Sequence, residues 1–208
     1  MKKLILIGAL CVAFPLGAQA GSSRVSVDVH ASTLGAGIGL AIPVTENLSA
    51  RLSLSKFDYA FQNITNASKL DEVKHDYDVK LLNLAALADW HVFNGITHLT
   101  GGVIYNNNQF DVVSTPTLLG GSGTVLTTIT FNKIAPYLGF GWSGRASKTG
   151  FSFRSDIGVM FQGAGTSAVT TTGTAGILDK DAAKREIDAE LEKNKMYPVI
   201  SVGLAYAF

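Results

Sequence analysis

From residue 21 onward the chain alternates. Val25, Val27 and Val29 are separated by Ser26 and Asp28, and Leu34, Ala36, Ile38, Leu40 and Ile42 by glycines and an alanine. Leu48, Ala50, Leu52 and Leu54 interleave with Ser49, Arg51 and Ser53. The same two-residue period returns in 77–90, 99–110, 133–143, 151–162 and 197–208. Successive side chains of a strand point to opposite faces, so each segment presents one apolar face and one face of small or polar residues. The pattern predicts eight strands, with 25–42 read as two rather than one long strand. Seven strands would put the two ends of the chain on opposite sides of a closed sheet.

The links between these segments alternate in length. Those at 43–47, 94–95 and 147–150 are short, while 62–76, 113–128 and 164–196 are long and polar or rich in Gly, Thr and Ser. Asn94-Gly95 is a strong turn signal. Two irregularities interrupt the pattern. Phe57, Tyr59 and Phe61 switch parity, and Leu81-Leu82 breaks the alternation, which predicts bulges or, for the aromatics, an edge leaving an apolar layer. One segment is not strand-like: 179–194 carries an N-capping Asp179 and a stripe of Ala183, Ile187 and Leu191, predicting a short charged helix before the last strand.

Thinly spread hydrophobicity without a spanning helix is the pattern of a transmembrane β-barrel, whose strands need about 9–11 residues each. Short turns on one side and long loops on the other agree with that architecture. The fold class read here is therefore all-β, an antiparallel transmembrane β-barrel of eight strands. A mean hydropathy of +0.25 and 22 glycines strengthen the reading.

At the N-terminus, Lys2 and Lys3 precede an apolar run from Leu4 to Phe14 and a small-residue site at Ala18-Gln19-Ala20. This predicts a cleaved signal peptide over 1–20 and a barrel over 21–208. Cys11 lies within that peptide, so the mature chain has no thiol chemistry. Without Lys2 and Lys3, 15 basic residues face 16 acidic ones, a balance that offers nucleic acid no electrostatic footing.

Candidate chemistry lies on the inward face. Alternation directs Asp28, Arg51, Lys80, Asp89, Lys133, Arg145, Arg154 and Asp156 toward the barrel interior, with Asp78 beside Lys80. Buried charges must be paired, and the interior of eight strands is only just wide enough for side chains. The set is expected to be an internal ion-pair network, with a narrow polar path for ions or small solutes as the alternative. His30, with Ser32 and Asp28 on one strand face, is the remote candidate for catalysis on outer-leaflet lipid. No metal-ligand spacing and no cofactor motif is found; Gly35-x-Gly37-x-Gly39 lacks a strand–turn–helix context.

The alternating strands, the signal peptide and the stretches DWHVF, GGVIYNNN, APYLGFGW and YPVISVGLAYAF together resemble small Gram-negative outer-membrane proteins. They are similar to opacity-type surface antigens and to OmpA-like and OmpW-like eight-stranded barrels. The last strand places Ser201, Gly203, Tyr206 and Phe208 in the spacing polar-x-Gly-x-x-aromatic-x-aromatic, which looks like the C-terminal insertion signal of such barrels. The resemblance implies outer-membrane lipid and lipopolysaccharide as surroundings and the barrel-assembly machinery as a partner during insertion. It implies a non-catalytic envelope or adhesion role through the long outer loops, and no single activity. The stretch read here departs from the full OmpA pattern in carrying no C-terminal peptidoglycan-binding domain, so cell-wall tethering is not expected.

Overall fold

The computed structural model describes residues 24–68, 71–92, 96–116, 123–143, 149–173 and 180–208. The expected signal peptide, the Asn94-Gly95 turn and Asp179 lie outside them. The elements are β1 (Ser26–Ser32), β2 (Gly35–Pro43), β3 (Leu48–Ser68), β4 (Asp71–His91), β5 (Thr97–Asn106), β6 (Gln109–Pro116), β7 (Gly123–Thr130), β8 (Ile134–Ser143), β9 (Gly150–Met160), β10 (Thr166–Gly173), α1 (Lys180–Leu191) and β11 (Tyr197–Ala207).

Eight of these strands close a ring in the order β1–β2–β3–β4–β5–β8–β9–β11, with β11 pairing back onto β1. Every pairing is antiparallel. The first two strands are separate, as parity required. Ser32 Oγ donates to Gly35 O at 3.0 Å and accepts from Leu34 N at 3.1 Å, which shapes the corner between them. Gly35 has φ of +113° there, and a Cβ would meet Lys56 O at 2.4 Å, so both conformation and space require glycine.

The ring's outer surface is an apolar belt, interrupted on β9 by Ser155 between Trp142 and Val202. Val27, Val29, Ile38, Leu52, Leu54, Leu84, Leu99, Val103, Leu138, Ile157, Val202 and Leu204 all point away from the lumen and stand exposed. Trp90, Trp142, Phe151 and Phe208 crowd the belt's lower margin, the end that holds Arg24 and Phe208. Phe151 packs on Tyr206 at 4.9 Å and Tyr206 on Phe208 at 5.2 Å. The upper margin is equally sharp: on β3 the outward residue after Leu54 is Lys56, and on β4 the one above Leu82 is Lys80.

Above the belt the wall is uneven, and here the sequence reading needs correction. The polar stretch 62–76, expected as a loop, continues β3 and β4 as one hairpin, paired without a register shift from Leu48↔Trp90 to Asn66↔Glu72. The stretch 113–128 contributes to β6 and β7, and 164–196 holds β10 and α1. β6 continues the ladder that β5 makes on β4: Asn83↔Asn106 below, Lys80↔Gln109 above. At the break between them Asn107 N donates to Leu82 O at 2.9 Å, and Asn108 Oδ1 accepts from Leu82 N at 3.2 Å. β7 pairs with β6 and β10 with β7, so β3, β4, β6, β7 and β10 form a tall half-wall. The β1–β2 corner leaves the opposite side low.

No bulge is needed at Leu81-Leu82 or at Phe57. The β3–β4 register is continuous through both, with Leu81 buried in the lumen and Leu82 exposed outside. Phe57, Tyr59 and Phe61 keep the inward parity of Arg51, Ser53 and Ser55; what changes is that the wall has risen above the lumen.

Candidate functional site

Among the described residues the lumen holds an ion-pair cluster, an Asp–His–Ser set, a group of buried asparagines (Asn83, Asn106 and Asn108) and an apolar plug. The first is an ion-pair cluster from Arg51 on β3, Asp89 on β4, and Arg154 and Asp156 on β9. Arg51 Nη2 donates to Asp89 Oδ1 at 3.0 Å, and its Nη1 and Nη2 reach the two oxygens of Asp156 at 3.3 Å each. Arg154 Nε donates to Asp156 Oδ2 at 3.3 Å, and its Nη2 donates to Asp89 Oδ2. Thr100 Oγ1 adds a bond to Asp89 Oδ1 at 2.8 Å. His98 Nε2 meets Asp156 Oδ1 at 2.8 Å, while its Nδ1 meets Ser143 Oγ at 3.2 Å. Asp89 has no exposed surface. The two guanidinium groups balance the two carboxylates, which is the condition for burying four charges together.

Asp89, His98 and Asp156 also bring potential metal ligands within 4.8 Å of one another. Their carboxylate oxygens already accept from both guanidinium groups. A dication there would have to sit among fixed positive charges, so the donor set does not suit one.

The second constellation joins Asp28 and His30 on β1 to Ser55 on β3. His30 Nδ1 meets Asp28 Oδ1 at 2.7 Å, and Nε2 meets Ser55 Oγ at 3.0 Å. The expected partner Ser32 is instead occupied in the β1–β2 corner. Register explains the change. His30 pairs with Gly37, and Gly37 with Ser55, so the imidazole reaches across a residue without a side chain. A Cβ on Gly37 would lie 2.6 Å from His30 Nε2 and 2.9 Å from Ser55 Oγ. Asp–His–Ser is the order of a nucleophilic triad, but on that side the pair has no room even for a methyl group.

Above the ion pairs, Ile104, Ala135, Tyr137, Met160 and Val199 form an apolar plug with Leu34 and Ala85; Ala135 and Met160 have no exposed surface. The small inward residues are the complement of these large ones. Tyr137 lies over Gly139 and Gly158, whose added Cβ atoms would come within 2.5 and 2.4 Å of its hydroxyl. Asp28 covers Gly39 and His98 covers Gly141 in the same way.

Of the inward charges expected from sequence, Asp28, Arg51, Asp89, Arg154 and Asp156 are buried in the lumen. Lys80 and Lys133 are not, and Arg145 lies outside the described residues. Because β4 is regular through Leu81-Leu82, its even positions from Asp76 to Trp90 face outward. Lys80 and Asp78 therefore stand on the outer face above the belt, paired at 2.7 Å, with Asp111 of β6 at 3.2 Å from Lys80. Burial works to raise the Asp111 carboxyl, but hydrogen bonds from Gln109, Thr128 and Lys80 outweigh it and hold the group below its ordinary value. Lys133 precedes β8, outside the alternation, and is exposed beside Asn107. His98, Thr100, Ser143 and Tyr137 also line the lumen, as do Ser53, Asn83, His91 and Asn106. Their inward parity was readable; their partners on other strands were not.

No protein-family model matches the chain, and no curated protein matches it. Solved structures do. Acinetobacter baumannii CarO2 superposes with a TM-score of 0.64 at 17% identity, over 89% of this chain and 99% of that one. Acinetobacter baumannii CarO gives 0.60 at 18% identity, over 89% and 98%. At such identities the likeness establishes a shared fold: the chain is an eight-stranded antiparallel β-barrel of the kind seen in the CarO structures.

Proposed function

We propose that this protein is an integral, non-catalytic outer-membrane barrel with a closed lumen, acting in envelope structure or surface adhesion through the wall above the belt. The observation that carries the proposal is the filled interior: a neutral ion-pair cluster and an apolar plug occupy the lumen at successive levels. The membrane reading rests on the outward belt, apolar on every strand of the ring and edged by aromatic side chains. Lipid and lipopolysaccharide are the surroundings such a belt requires in an outer membrane. In the last strand, Tyr206 and Phe208 extend the lower aromatic margin while Ser201 and Gly203 face the lumen, an arrangement we read as the assembly machinery's recognition signal.

Conductance of the refolded mature protein in a planar bilayer tests the closed lumen, with insertion checked by mobility in electrophoresis before and after boiling. A silent bilayer containing inserted protein is expected. The second reading, a narrow path for ions or small solutes, is favoured by the charged residues that cross the lumen. Discrete steps that change in Arg154→Ala would replace the first reading with the second.

A further inference from the structure

The tall half-wall carries its apolar and charged faces the opposite way round from the ring below. Along its inner face Phe57, Tyr59 and Phe61 of β3 run into Tyr77 and His75 of β4, with ring centroids 6.1, 5.9, 4.8 and 6.1 Å apart in succession. Tyr59 is 56% exposed, and Phe57 and Phe61 are 43% exposed. At the same height the outer face bears Lys56, Asp58, Asp78 and Lys80. Stacked rings of this extent, left open on the protein's own surface, mark a contact site.

The geometry of the rim indicates the occupant. β2 pairs with β3 only as far as Ala36↔Lys56, so among the described residues no strand shields the rings on that side. The low corner between β1 and β2 ends at the height where the outer belt ends, one position above Ala36. Val29 and Ile38, just below it, face the belt side. Leu81, the cross-strand partner of Phe57, is buried, as is Leu34 in the β1–β2 corner. The strip is one ring wide along β3 and, from Phe57 to Tyr77, carries no charged group. Across the low rim the strip is separated from Val29 and Ile38 of the belt by the Ser32–Gly35 corner, where Thr33 is exposed.

We propose that this aromatic strip holds a lipid acyl chain that enters sideways over the β1–β2 corner from the outer leaflet. The proposal rests on the membrane reading above. A second copy of the chain and bulk water are the competing occupants, and a single experiment separates all three. The protein is refolded into phosphatidylcholine vesicles whose acyl chains are brominated, and tryptophan emission is compared with that in unbrominated vesicles and with iodide added. In the unaltered chain, Trp90 and Trp142 report on the belt, and their quenching by bromine establishes insertion. With both changed to Phe, Tyr59→Trp reports on the strip and Asp58→Trp on the opposite face at the same height. Phe61→Trp replaces Tyr59→Trp if the latter does not recover the heat-sensitive mobility of the folded barrel.

The expected result is a loss of emission in Tyr59→Trp comparable to that of the native tryptophans, with Asp58→Trp quenched by iodide instead. Quenching of Tyr59→Trp by iodide and not by bromine would mean water fills the strip and would overturn the proposal. Quenching by neither would mean a protein surface covers it, with the same consequence. Failure of bromine to quench the native tryptophans would overturn the membrane reading itself.

Discussion

Asp89→Asn probes the closed lumen most directly. The carboxylate accepts from Arg51, Arg154 and Thr100 and has no exposed surface. Asparagine keeps its shape and can still accept at Oδ1, but its amide turns a donor toward Arg154 Nη2. One charge-assisted bond is lost, worth about 1.5–3 kcal/mol, and one positive charge is left in excess. Removing one partner of a buried pair costs roughly 3–5 kcal/mol. Asp156 still touches both arginines, which places the expectation near the lower end, about 3 kcal/mol. Urea unfolding in vesicles, followed by the emission of Trp90 and Trp142 and by heat-sensitive mobility, supplies the measurement. Adding Arg154→Met should recover part of the loss, since it removes the orphaned charge, giving a coupling of about 0.5–3 kcal/mol. A single-variant effect below about 1 kcal/mol, the value of a screened pair in water, would refute the reasoning. The lumen would then be hydrated, and the conducting alternative would gain accordingly.

Other outcomes follow from the same geometry. Gly139→Ala should destabilise the barrel by about 1–3 kcal/mol through overpacking against Tyr137, whereas Gly101→Ala, whose nearest neighbour would be Leu138 Cδ2 at 3.6 Å, should be near neutral in the same titration. His30→Ala should leave lipid A chemistry unchanged by mass spectrometry; altered lipid A would revive a catalytic role for the Asp28–His30–Ser55 set. Asp188→Ala should free α1 from β10, because Ser167 N and Oγ both donate to Asp188 Oδ1, at 2.8 and 2.7 Å; limited proteolysis should cut within α1 while the barrel's unfolding is unchanged. The bond from Lys184, reinforced by those from Ser167, lowers the Asp188 carboxyl to about 2. A lowered group contributes its full stabilisation above its unfolded value, near 4, and loses it as pH falls through the folded one. Protection of α1 should therefore persist to about pH 4 and disappear toward pH 2.

Alternation alone determined the ring. Which side chains face out and which face in is a property of each strand by itself, so the outer belt, the eight strands and the inward placement of Arg51, Asp89, Arg154 and Asp156 were all legible along the chain. The helix before the last strand was legible too, from the stripe of Ala183, Ile187 and Leu191. The high wall was not. Above the belt the contrast between an apolar outer face and a polar inner face fades, and stretches such as Gly123–Thr130 read as loops. Contacts between strands were equally hidden. Arg154 reaches Asp89 across 65 positions of sequence, and His30 chooses Ser55 over Ser32 because Gly37 lies between them in register. Register depends on how the strands stagger when the sheet closes, a condition on all of them at once. The chain specified which faces would be polar and, through the narrow bore of eight strands, that inward charges would pair; only closure of the barrel decided which polar groups would meet.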